Sequence, residues 1–121
     1  MDTRPKTIFC DIDGTLIMHM PPSEAAKGTT PVLLNGTLET LRKWDKLGYN
    51  IILTTGRKES MRDITVKQLA SVGIYYDQLI MGIGGGSRII INDKKSDNQI
   101  TAFAISVERN KGLEYYQNDI F

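Results

Sequence analysis

Short apolar runs recur along the chain, separated by stretches in which apolar positions follow a helical spacing. Thr7-Ile8-Phe9-Cys10 is brief, β-branched and aromatic, the pattern of a buried strand. Asn35-Gly36-Thr37 opens a helical pattern that places Leu38, Leu41, Trp44 and, at its end, Leu47 on one face, with Gly48 as its cap. Asn50-Ile51-Ile52-Leu53-Thr54 predicts a second strand, and a helix is expected from about Glu59 to Val72 with Met61, Ile64, Leu69 and Val72 inward. Leu79-Ile80-Met81, Arg88-Ile89-Ile90-Ile91 and Thr101-Ala102-Phe103-Ala104-Ile105 predict third, fourth and fifth strands. The glycine run Gly82–Ser87 joins the third to the fourth. The stretch from Ile17 to Pro31 is polar and carries prolines, so it reads as a loop or small hairpin. The tail from Glu108 predicts a short helix bearing Leu113, Tyr115 and Tyr116, or a partly ordered arm.

Strands separated by helices argue for one α/β domain over residues 1–121, a Rossmann-like parallel sheet of about five strands flanked by helices. The length of 121 residues suits a single modest core, and a formal net charge of +1 gives no field for a nucleic acid or a membrane. The one cysteine, Cys10, rules out an internal disulfide and fits a reducing compartment; its strand makes it a core hydrophobe. No signal-like amino terminus or bilayer-length apolar run is present, so a soluble, cytoplasmic protein is expected.

The chemistry gathers at strand ends. Asp11-Ile12-Asp13-Gly14-Thr15-Leu16 closes the first apolar run. Side chains alternate along a strand, so Asp11 and Asp13 point the same way if the strand persists through them. In an open parallel sheet that position, beyond the carboxyl ends of the strands, is where ligands bind. Two close carboxylates are costly to ionise together without a cation between them, and oxygen ligands suit magnesium. A solvated Asp turn or a calcium loop is the plainer reading; no Glu follows at calcium-loop spacing. Thr54-Thr55-Gly56-Arg57 follows the second strand, where a hydroxyl and free N–H groups can hold phosphate oxygens. Asn92-Asp93-Lys94-Lys95-Ser96-Asp97 follows the fourth, bringing another acid to a strand end.

Together these three stretches resemble the haloacid dehalogenase superfamily of phosphohydrolases, over most of the chain. The resemblance implies that Asp11 is the nucleophile, forming an aspartyl-phosphate, and that Asp13 is the general acid and base. It implies Thr55 as the phosphate-binding hydroxyl, with Thr54 as the alternate and with Gly14 and Gly56 in the phosphate cradle. It implies Mg2+ held by Asp11, the Asp13 backbone carbonyl and Asp93. Asn92 stands where relatives carry Gly or a further acid, and Asp97 matches a later acid of the same motif. The family's Lys after the third strand is missing, since Ile83-Gly84 stands there; Arg88 is the leading substitute, with Lys67, Lys58 and Arg57 as rivals. The glycine run lacks the nucleotide-binding spacing and precedes a strand. His19 reads as a surface residue, and the Tyr75-Tyr76 and Tyr115-Tyr116 pairs could pack or meet a partner.

Family members carry a specificity cap after the first motif or the third strand, and here those slots hold only a loop and the glycine run. The expected function is therefore that of a capless, magnesium-dependent phosphatase. Its expected substrate is a small phosphate monoester such as a sugar phosphate, processed by a homo-oligomer, with no nucleic-acid or membrane partner. The alternative is a catalytically weak, phosphate-binding or regulatory module, motivated by the missing Lys and by Asn92.

Overall fold

A computed structural model describes residues 3–116. Three parallel strands make its sheet: β1 (Thr7–Asp11), β2 (Asn50–Thr54) and β3 (Gln78–Ile80), in the spatial order β1-β2-β3. Register runs from Thr7 opposite Asn50 to Asp11 opposite Thr54, and from Ile52 opposite Gln78 to Thr54 opposite Ile80. Asp11 and Thr54 therefore finish their strands side by side. That alignment places the first two predicted motifs at one end of the sheet.

The helices are α1 (Pro22–Ala26), α2 (Thr37–Lys46) and α3 (Arg62–Ser71). A 3₁₀ turn, Glu59–Met61, leads into α3. Parallel strands cannot be joined by a tight turn, and α2 and α3 supply the two crossovers. β2 lies centrally and buries Ile51, Ile52 and Leu53 in succession, as a strand covered on both faces must. Trp44 and Leu41 of α2 and Leu69 of α3 close the core around it, joined by Ile12, Leu16 and Ile17 from the first motif. Leu47, expected on the inner face, is largely exposed. The helix ends at Lys46, so Leu47 falls in the turn that leaves the core.

The fourth and fifth predicted strands do not form among the described residues. Ile89 and Ile91 are 83% and 92% exposed, and Phe103 is also exposed. For the fourth run, chain connectivity stands against parallel pairing. A further parallel strand needs a crossover of about a dozen residues or more, whereas Gly82–Ser87 supplies six. The described part of the tail carries a short 3₁₀ helix at Glu114–Tyr116, and Leu113 before it is buried in the core.

Candidate active site

β1 delivers Asp11, and the chain then folds tightly on itself. The N–H groups of Thr15 and Leu16 donate to the Ile12 carbonyl at 3.1 and 2.9 Å, and the Gly14 N–H donates to the Ile17 carbonyl at 2.8 Å. Ile12, Leu16 and Ile17 point into the core and anchor this turn from below. The Thr15 hydroxyl donates to Asp11 Oδ2 at 3.3 Å. Burial raises the Asp11 carboxyl above its ordinary range, and the negative charge of Asp13 adds to that. The Ile12 N–H, the Thr15 hydroxyl and the positive charge of Arg88 act against it. Asp11 is thus a partly desolvated carboxylate, which gains from any cation brought to it.

Asp13 has such a cation already. Arg57 Nε and Nη2 donate to its two oxygens, each at 2.9 Å, in a bidentate fork. Arg57 Nη1 donates to Thr65 Oγ1 at 3.0 Å and to Gln68 Oε1 at 2.7 Å, and Nη2 also reaches Met20 Sδ at 3.9 Å. A guanidinium offers five N–H donors, and these contacts occupy them all. The two side chains of the pair are 8% and 15% exposed. Arg57 therefore has no donor left for a phosphate group, and its rivalry for the missing Lys falls away. Sequence reasoning missed its role as the partner of Asp13, along with Thr65 and Gln68. A signal existed: two polar residues three apart share the buried face of α3.

Thr55 is buried, and its Oγ1 accepts the Arg57 backbone N–H at 3.1 Å. The turn there requires glycine. A Cβ on Gly56 would stand 2.8 Å from the Gly84 carbonyl oxygen, so the glycine run packs directly against the Thr55-Gly56 turn. Arg88 is exposed, donates from Nη1 to the Gly86 carbonyl, and acts on Asp11 through its charge. Lys58 and Lys67 are exposed. A shallow groove of about 180 Å3 lies beside this end of the sheet, lined by residues that include Met18, His19, Met20 and Val32.

The third constellation is not brought in. Asp93 lies in coil with its side chain 76% exposed, and Lys95 Nζ pairs with it at 3.3 Å. Asn92 Nδ2 donates to Thr101 Oγ1 at 2.9 Å, and Asp97 is exposed. Among the described residues no group of three or more His, Cys, Asp or Glu side chains is gathered as a metal cage. Of the two carboxylates expected on the ion, Asp11 stands at the sheet end and Asp93 does not. Magnesium often takes only one or two carboxylates, with water and substrate phosphate completing its shell, and Asp11 fits that sparse donor set.

Comparison with known proteins bears on this geometry. The family PITM 1-3, LNS2 domain, matches residues 8–108, a span that includes Asp11, Asp13, Thr55, Arg57 and Asp93. The chain belongs to this family. The LNS2 domain is a haloacid-dehalogenase-like phosphatase fold, which agrees with the resemblance at the level of the superfamily. Two solved chains of the Pnkp1/Rnl/Hen1 complex, one described as an RNA repair complex, are similar to the LNS2 chain. The first is 34% identical over 64% of this chain, with a TM-score of 0.56, and the second is 30% identical over 71%, with a TM-score of 0.57. The LNS2 chain spans only 25% and 30% of those two chains. A crystal structure of an MCSG target from Vibrio cholerae, 21% identical over 72% of this chain and 79% of its own, shares the fold with a TM-score of 0.52. No curated protein matches the chain. No helix among the described residues is long and apolar enough to cross a membrane.

Proposed function

We propose that this LNS2 chain is a capless phosphatase that hydrolyses a phosphate monoester through an aspartyl-phosphate on Asp11. The observation that carries the reading is the division of labour between the two acids. Asp11 is desolvated and hydrogen-bonded on one oxygen by Thr15, while Asp13 is held on both oxygens by a saturated guanidinium. Asp11 attacks phosphorus and expels the alcohol, and water then cleaves the acyl phosphate. Asp13, carrying the proton taken from water in the preceding turnover, gives it to the leaving oxygen and then, as a carboxylate, takes another from the attacking water. Its oxygens, both accepting in this state, are set for the second task. Thr55 and Gly56 form the wall against which the phosphoryl group rests, and Arg88 lends positive charge. Asp11 and the substrate phosphate would hold magnesium, which supplies neutralisation of the charge gathered there.

The substrate we favour is a sugar phosphate or related metabolite, processed in the cytoplasm by a homo-oligomer that closes the open site. A phosphorylated RNA end belongs on the test panel because one similar chain comes from a complex described as an RNA repair complex; the net charge of +1 weighs against it. The exposed position of Asp93 favours one second reading, a phosphate-binding module with weak turnover. Magnesium-dependent release of phosphate from an aryl phosphate separates the two. Intact-mass analysis after acid quench then tests the roles. Asp13→Asn should carry a phosphate adduct and Asp11→Asn none; an adduct on the Asp11 variant removes Asp11 as nucleophile.

A further inference from the structure

Val107–Tyr116 turns back over the start of the chain. Leu113 enters the core, and its N–H donates to the Asn35 carbonyl at 2.9 Å. A Cβ on Gly112 would stand 2.2 Å from that carbonyl oxygen, so the strap is seated on the backbone with no room for a side chain. Two residues earlier, Asn110 adopts φ +63°, alone among the described non-glycine residues in having a positive φ. Asn tolerates this left-handed region better than most residues do.

From that conformation Asn110 makes two bonds to the first motif. Its backbone N–H donates to the Gly14 carbonyl at 2.8 Å, and its Oδ1 accepts the His19 N–H at 2.7 Å. One residue therefore grips both ends of Gly14–His19, the segment that follows Asp13 and carries the Thr15 hydroxyl bound to Asp11. We propose that Asn110 is a positioning residue for the Asp11–Asp13 site, a clamp that holds the catalytic turn closed from the far end of the chain. Its meaning for turnover rests on the phosphatase reading; the clamp itself rests on geometry alone.

The side chain contributes two separable properties, and two substitutions separate them. Asn110→Gly keeps the left-handed backbone and its N–H but loses the acceptor for His19. Asn110→Asp keeps an acceptor oxygen in a residue that still tolerates the left-handed region. Amide hydrogen exchange of the full chain by NMR reads the clamp directly. In Asn110→Gly the amides of His19 and Thr15 should exchange at least about tenfold faster while those of β2 hold, and Asn110→Asp should restore protection. With an aryl phosphate, kcat of Asn110→Gly should fall by about ten- to a hundredfold and recover in Asn110→Asp. Unchanged exchange at His19 and Thr15 in the glycine variant overturns the clamp, as does opening of the turn that leaves kcat untouched. Should the wild-type chain turn over no phosphate ester, the phosphatase reading fails, and the exchange pattern with its rescue by Asp alone decides for or against the clamp.

Discussion

Two ion pairs in this molecule share the same chemistry and differ in almost everything else. Arg57–Asp13 is bidentate, lies at the junction of the first motif, β2 and α3, and shows 8% and 15% of its side chains to solvent. Lys95–Asp93 is single, lies between residues two apart in an exposed coil, and shows 39% and 76%. In the first, the guanidinium is also bound by Thr65 and Gln68, so the whole assembly must form together. In the second, water replaces either partner at little cost. The contrast extends to the surroundings. Residues around the first pair pack into the core, whereas the apolar side chains of Ile89, Ile91 and Phe103 near the second stand in solvent. What makes an acid part of a site here is the sheet end that delivers it and the partners waiting there. A run of isoleucines before it does not suffice.

The largest effect should come from breaking the first pair. Arg57→Ala leaves a mostly buried Asp13 uncompensated and strips Thr65 and Gln68 of their partner, at a cost of about 3–5 kcal/mol. Urea denaturation measures it, and a cost below about 1 kcal/mol would erase the distinction between the two pairs. The packed region also shields its thiol. Burial, with Asp11 beside it, pushes the Cys10 thiol from its ordinary 9.0 up to about 12. At pH 9 Cys10 should resist alkylation in the folded chain, while a cysteine introduced by Ile91→Cys should react at least about a hundredfold faster. The sign for stability follows from the same shift. A raised folded value leaves stability intact below pH 9.0 and erodes it as the pH climbs towards about 12, because the unfolded thiol ionises first. Equal labelling of the two positions would show that the exposed segment is covered in solution.

The smallest effect on stability belongs to the second pair. Asp93→Asn should change it by no more than about 0.5 kcal/mol. Its effect on magnesium-dependent turnover sharpens the comparison. Turnover that survives with an unchanged magnesium requirement leaves Asp11 as the sole side-chain carboxylate for the ion. Turnover that collapses would place Asp93 in the working site and require the segment around Ile91 to move there.

Much of the packed region was legible beforehand, for reasons particular residues make clear. Asn50–Thr54 reads as a strand at every position, because a central parallel strand is apolar on both faces and stands out in any window. Asp11 and Thr54 were expected at strand ends, and the register places them opposite each other. Arg57 was harder. Its sequence neighbours mark a turn, but the bond to Asp13 spans 44 positions and is visible only once the crossover through α2 brings the two strand ends together. Asn110 was harder still. Asn110-Lys111-Gly112 announces a turn and nothing in it names Gly14 or His19 as partners.

The sequence by itself determined the parallel α/β architecture, its first two strands and the acids at the end of β1, because period, turn residues and strand length are local properties. It also carried the superfamily, through short motifs at strand ends. Tertiary structure alone decided which apolar runs became strands. Parallel pairing of Arg88–Ile91 needs a connection long enough to reach an edge, and Gly82–Ser87 offers six residues where such a crossover takes about a dozen or more. It alone decided that Asp13 faces Arg57 and that the turn after it is gripped by Asn110. Both depend on groups far apart in the chain whose bonds exist only when the core between them has closed.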